Sequence, residues 1–250
     1  MAVALAAAGA VQVPAAAAAT SPYTGSGFDI SYPQCSIPAN SYKSGFYIVG
    51  VTDGRPFTTN GCASQEWSDA ASAYQSVSPS IYFNTGYAGA YARNIATSCT
   101  TVGYGGTSFG TASRHTLSAE EKAWEIGCSE ALYATTVVKG SPTMYWADVE
   151  VGNSWSTNTT LNQYTIDGIS WEMANTGVGG GIYSSPGMWA SITGSSSWEP
   201  STVSANWLAG GASPCSTTTV FGQAPTWLSQ YGTTSFGTTA VDEDAACSSS

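Results

Sequence analysis

Charge is scarce in this chain. Of its 250 residues, 9% are Asp, Glu, Lys or Arg, against roughly 25% in ordinary soluble proteins. The shortage is sharpest among bases, since six Lys and Arg face sixteen acids and the net charge is −10. That excludes a basic patch for nucleic acid or for an anionic membrane surface. Histidine is almost missing too. The single His115 cannot build a zinc cluster, and it sits in a loop beside a helix start, where it reads as a surface residue rather than a base. A serine or cysteine hydrolase would have to depend on that same imidazole. No strand-like run leads into a dinucleotide or P-loop glycine signature, so neither a metal nor an organic cofactor is expected. Apolar runs stop short of the ~20 residues that a membrane span needs, so no stable membrane insertion is expected.

What the chain does have is 42% hydrophobic residues, enough for a packed core, on a surface made soluble by Ser, Thr, Asn and Gly. The first 20 residues, MAVALAAAGAVQVPAAAAAT, are small and apolar with Ala-x-Ala choices near Ala17 to Ala19, and they read as a secretory signal peptide. The mature domain is then 21–250, secreted to an extracellular or cell-wall location. Six cysteines agree with an oxidising compartment: Cys35, Cys62, Cys99, Cys128, Cys215 and Cys247. Six cysteines allow 15 connectivities. Nearest-neighbour pairing, 35–62, 99–128 and 215–247, closes three local loops and is the expected arrangement.

Short strand-like runs alternate with helical patterns. Strands are expected at 27–31, 46–53, 79–86, 143–150 and 179–185, with helices near 65–75, at 118–139 and from Asn158 to about Asn175. The helix at 118 carries the clearest start, Ser118 with Glu121 as a capping box. Two further runs, 205–210 and 225–232, have no helix between them. Strand–helix alternation ending in bare strands implies an α/β fold, a modified TIM-type β/α barrel with about five helices; an open doubly wound sheet is the alternative. The Gly-rich stretch 97–117 lies between a strand and its helix, which in a barrel is the catalytic face.

The segment YWADVE, 145–150, concentrates the chemistry. Residues two apart in a strand share a face, so Met144, Trp146, Asp148 and Glu150 align, with both acids at the C-terminal end where barrel active sites sit. Paired carboxylates are what glycoside hydrolysis uses, one to protonate the leaving oxygen and one to stabilise or activate. Six bases cannot pair sixteen acids, so ion pairing does not account for most of them.

In order, GFDIS, VTDG, ADVE, GIYSS, NWLAG, WLSQY and VDEDA resemble glycoside hydrolase family 25, the muramidases, and their secreted glycoside-hydrolase-like relatives, across residues 27–247. The resemblance implies a β/α barrel with five helices and a polysaccharide substrate, peptidoglycan. It implies Glu150 as general acid, Asp148 as its assistant, and Asp29 and Asp242 shaping the charge. It implies substrate contacts from Asp53, Tyr82, Asn84, Tyr183, Trp207 and Gln230. Three departures stand out: Asn84 where the family carries a third-strand histidine, Ser229 in place of a late Trp, and Tyr32-Pro33-Gln34 in place of a strand-one Trp-Gln. They fall on sugar-contacting positions, so the acids can persist while the sugar differs. Among the nine tryptophans, Trp155 and Trp198 are candidate sugar platforms. A non-catalytic carbohydrate or cell-wall binding protein, and a structural protein whose acids bind only each other, are the alternatives to a glycosidase.

Overall fold

The structure, a computed structural model, describes residues 20–37, 44–73, 76–101, 118–210, 215 and 220–247. Eight strands close a barrel in sequential order: β1 (Ser26–Ile30), β2 (Phe46–Gly50), β3 (Ser80–Asn84), β4 (Tyr145–Asp148), β5 (Gly180–Ser184), β6 (Ala205–Leu208), β7 (Thr226–Phe236) and β8 (Thr239–Ala246). β1 to β7 run parallel, and β8 runs antiparallel to both β7 and β1. The open-sheet alternative is therefore excluded. The helices are α1 (Ala63–Ser72), α2 (Thr97–Thr101), α3 (Ala119–Thr135), α4 (Thr159–Asn175) and α5 (Pro186–Thr193). α5 was not expected from the sequence. No helix among the described residues is long and apolar enough to cross a membrane. Residues 1–19, which fall in the segment read as a signal peptide, His115 and residues 102–117 of the Gly-rich stretch lie outside the described residues.

Period-two alternation builds two cores. Outward Ile81, Phe83, Tyr145, Ala147 and Ile182 pack under α3, α4 and α5 with Ala131, Ile166, Ile169 and Trp189. Inward residues of β2 and of β4 to β7, with Met144 just before β4, fill the barrel: Phe46, Ile48, Met144, Trp146, Tyr183, Trp207 and Leu228. Burying each such large side chain contributes about 1.5–3 kcal/mol. Tyr23, just before β1, plugs the lower end, its hydroxyl 2.6 Å from Ser80 Oγ and accepting from Trp146 Nε1 at 3.1 Å.

α3 and α4 pack closely enough to require glycine on each. A Cβ at Gly127 would lie 1.9 Å from Thr165 O, and one at Gly168 would lie 2.1 Å from Trp124 O. The capping box of α3 forms on both sides: Ser118 Oγ accepts from Glu121 N–H at 3.2 Å, and Glu121 Oε2 accepts from Ser118 N–H at 2.7 Å. Asn158, the expected helix start, caps α4 through Thr160 N–H. On the helix-poor side the β7–β8 hairpin supplies the cover, with Phe236 edge-on to Phe28 at 5.7 Å. The disulfides are Cys35–Cys62, Cys99–Cys128 and Cys215–Cys247, the nearest-neighbour set.

Candidate active site at the open end of the barrel

The parallel strands deliver their C-terminal residues to one end, where a cavity of about 240 Å³ opens. Because β8 runs the other way, it reaches that end with its first half. Asp242 pairs across from Asp29, and Asp244 pairs across from Gly27, one layer deeper. Nine of the sequence-predicted site residues line the cavity: Asp29, Tyr82, Asn84, Asp148, Glu150, Tyr183, Trp207, Gln230 and Asp242. Asp53 stands apart. It is exposed, and its neighbours Thr52 and Gly54 line the cavity in its place, in the bend that follows β2.

Asp148 ends β4 and is buried. Its backbone carbonyl accepts from Thr85 Oγ1 at 2.6 Å, Thr85 N–H at 3.2 Å and Asn153 Nδ2 at 3.2 Å. Its side-chain Oδ2 accepts from Asn84 Nδ2. Thr52 orients that amide, with its hydroxyl donating to Asn84 Oδ1 and accepting from Asn84 N–H, both at 2.8 Å. Asp148 Oδ1 is buried with no hydrogen-bond partner among the described residues, in a side chain that lines the cavity. An acceptor left so is costly unless something fills it.

Glu150 lies two residues past the strand, partly exposed on the cavity wall. Its main chain is fixed: its carbonyl accepts from Trp155 Nε1 at 2.9 Å and Asn153 N–H at 3.1 Å. Trp155 thus braces the acid from behind and packs on the outer core, and Trp198 stacks on Trp189 at 5.6 Å. Neither tryptophan lines the cavity, so the platform expectation for both is corrected. The aromatic on the rim is Tyr32, 48% exposed and lining the cavity beside Pro33.

Burial, then the charge of Glu150, holds Asp148 well above the usual carboxylate range, and the Asn84 hydrogen bond partly offsets this. Glu150 is raised too, by burial and then by Asp242. Two acids two residues apart titrate together: the charge of one keeps the proton on the other, which supplies an acid and a base side by side. Burial, then the charge of Asp242, pushes Asp29 up to about 7. Asp29 Oδ2 accepts from Gln230 Nε2 at 2.9 Å, and Gln230 Oε1 accepts from Tyr183 OH at 2.7 Å. Asp244, fully buried, was missed in the sequence. The signal was its place two residues after Asp242 on the same strand face.

Residues 106–110, Gly-Thr-Ser-Phe-Gly, carry the letters of a nucleophile elbow and lie outside the described residues. The described His/Cys/Asp/Glu groups close enough to share a metal ion each contain a disulfide pair, Cys35–Cys62 with Glu66 and Cys99–Cys128 with Glu172.

Sequence comparison finds no matching family model and no matching curated protein. Structural comparison finds relatives. A family GH25 lysozyme from Aspergillus fumigatus matches with a TM-score of 0.56 at 14% identity, over 88% of this chain and 92% of that one. A family 25 glycosyl hydrolase from Bacillus anthracis matches with a TM-score of 0.56 at 12% identity, over 92% and 94%. The modular Cpl-1 endolysin, complexed with a peptidoglycan analogue, matches with a TM-score of 0.52 at 12% identity, over 91% of this chain and 55% of its own. At such identities the likeness is one of fold. This chain has the GH25 muramidase-like barrel.

Proposed function

We propose that the chain is a secreted glycosidase acting on cell-wall polysaccharide, with peptidoglycan as the substrate. The observation that carries the reading is the convergence of Asp148, Glu150, Asp29 and Asp242 on one cavity at the C-terminal end of the barrel, with no base among its lining residues. Glu150, on the open wall and raised by burial, protonates the leaving glycosidic oxygen. Asp148, anchored through Asn84, presents Oδ1 to the substrate. Such an acceptor suits the N–H of an acetamido group, whose own oxygen can then attack the anomeric carbon. Asp29 and Asp242 favour the positive charge that develops on the sugar ring. Peptidoglycan rests on the structural neighbours, one of which binds an analogue of it. Export rests on the three disulfides and on the leader-like first 20 residues, with 21–250 as one mature domain.

Glu150→Gln tests the assignment, with peptidoglycan and chitin-like glycans incubated and released fragments weighed by mass spectrometry. Wild type should release fragments and the variant should lose about 10²–10⁴ of the rate while still sedimenting with polysaccharide. Cleavage by the variant at the wild-type rate removes Glu150 from the acid role. Polysaccharide retention with no cleavage by either form assigns the barrel to binding alone.

A further inference from the structure

Glu130 takes no part in the proposed chemistry and lies outside the cavity, on α3. It is 2% exposed, among the buried Ala123, Ile126, Ala131 and Ala134 of the same helix. Its Oε2 accepts one hydrogen bond, from Gly86 N–H at 3.2 Å, and Oε1 has no partner among the described residues. An apolar side chain of that length would fill the same space without the cost of desolvating a carboxyl. Packing therefore does not account for the acid; the one bond it makes does.

Gly86 lies two residues past β3, in a segment stitched to the loop that carries both candidate acids. Thr85 donates twice to the Asp148 carbonyl, through Oγ1 at 2.6 Å and N–H at 3.2 Å. Tyr87 N–H donates to Ser154 O at 2.6 Å. Between those two anchors runs the turn with Glu150, whose own carbonyl is held by Trp155 Nε1. The approach is close, since a Cβ at Gly86 would lie 2.6 Å from Ser154 O. Successive amides thus face opposite ways. Those of Thr85 and Tyr87 hold the 148–155 loop, and that of Gly86, buried, points to the helix layer and Glu130. Removing the acceptor orphans this N–H, and the segment can regain a partner only by turning its peptides away from the loop.

We propose that Glu130 is a positioning residue that, from the helix layer, fixes segment 85–87 and through it the 148–155 loop with Asp148 and Glu150. Its bearing on rate rests on the glycosidase reading above; the link from Glu130 to the loop does not.

Two variants separate the acceptor from the bulk. Burial, partly offset by the Gly86 bond, holds Glu130 well above the usual carboxylate range, so Glu130→Gln mimics the neutral acid and keeps the acceptor. Glu130→Met keeps the length and removes it. Hydrogen exchange at the indole N–H of Trp155 reads the loop, and that of Trp189, which donates to Trp198 O at 3.0 Å in the outer core, is the internal reference. Glu130→Met should speed exchange at Trp155 about fivefold and leave Trp189 unchanged. On polysaccharide its kcat should fall about fivefold with KM within about twofold of wild type, and Glu130→Gln should restore both readouts. Should Glu130→Met fail to fold, Glu130→Asp, which draws the carboxyl back by one methylene, is read on the same two indoles. Unchanged exchange at Trp155 in the variant lacking the contact would overturn the proposal. So would equal acceleration at Trp155 and Trp189, which marks a general loss of stability, or a Glu130→Gln that behaves like Glu130→Met. A wild type that cleaves nothing, with the Trp155 response as expected, refutes the glycosidase reading and leaves the positioning link standing.

Discussion

Asn84 donates its side-chain amide to Asp148 Oδ2, and Thr52 determines which end of that amide faces the acid. With the Thr52 hydroxyl on Asn84 Oδ1, the NH₂ group must point at Asp148. Thr52→Val keeps the shape and removes the lock. One neutral hydrogen bond is worth about 1 kcal/mol, so kcat is expected to fall roughly fivefold with KM little changed. Asn84→Leu goes further and strips Asp148 Oδ2 of its donor, so the pH–rate profile should shift upward as well. Equal profiles for Asn84→Leu and wild type would show that Asp148 does not depend on this contact.

Folding should be acid-stabilised. Asp29 and Glu66 are both raised to about 7, chiefly by burial. Between roughly pH 4, where unfolded carboxyls titrate, and about pH 7 the folded chain retains protons that the unfolded chain has released. Stability is fully present below that window and declines as pH rises through it; Asp148, Glu130 and Asp244, also held well above the usual carboxylate range by burial, add to the decline in the same direction. Thermal melts should therefore give a Tm several degrees higher at pH 4.5 than at pH 8. Glu66→Gln, away from the cavity, should flatten part of that slope.

The helix pair α3–α4 should tolerate no side chain at its crossing. Gly127→Ala or Gly168→Ala places a methyl about 2 Å from a backbone carbonyl of the facing helix, which cannot rotate away. A cost of ~3 kcal/mol or more is expected, read as a Tm drop of roughly 6–12 °C or as insoluble expression. A stable Gly127→Ala would mean that the helices are free to separate.

Each disulfide closes a span of 27 to 32 residues. For loops of that length, loss of one bridge costs about 2–4 kcal/mol. Paired Cys99→Ser and Cys128→Ser substitutions, which release α2 from α3, should lower Tm by roughly 5–15 °C, and reductant should reproduce the shift in the wild type.

Strand order and the inward acids were legible because period-two alternation is a local property. Trp146 and Asp148 are inward for the same reason that Ala147 is outward. α5 was legible too and passed unread. Ser185 caps it through Met188 N–H, Pro186 opens it, and Gly194 at φ 78° ends it, but at eight residues it is too short for a strong apolar period. Asp244 was hidden by direction. In an antiparallel closing strand the mouth of the barrel receives the beginning of the strand, so Asp244, the last acid of VDEDA, goes down into the core rather than up to the rim. The roles of Trp155 and Trp198 depended on which wall each indole meets, a question of tertiary packing that no local pattern answers.

Tyr32 should set affinity for polymeric substrate. It sits in the short 3₁₀ turn Tyr32–Gln34 after β1, held there by Gln34, whose side chain accepts from Ser31 N–H at 2.8 Å and donates to Ala240 O at 2.8 Å. A ring that is 48% exposed on the cavity rim carries an apolar face ready for the C–H face of a sugar. It lies away from Glu150's bracing contacts, so its loss should weaken binding without touching the proton transfer. Tyr32→Ala is expected to raise KM about 3- to 10-fold on polysaccharide, equivalent to ~0.6–1.4 kcal/mol, with kcat near the wild-type value. Tyr32→Phe keeps the ring and should keep KM. If Tyr32→Phe loses as much as Tyr32→Ala, the hydroxyl rather than the face makes the contact, and the rim recognises a polar group of the glycan instead of stacking on it.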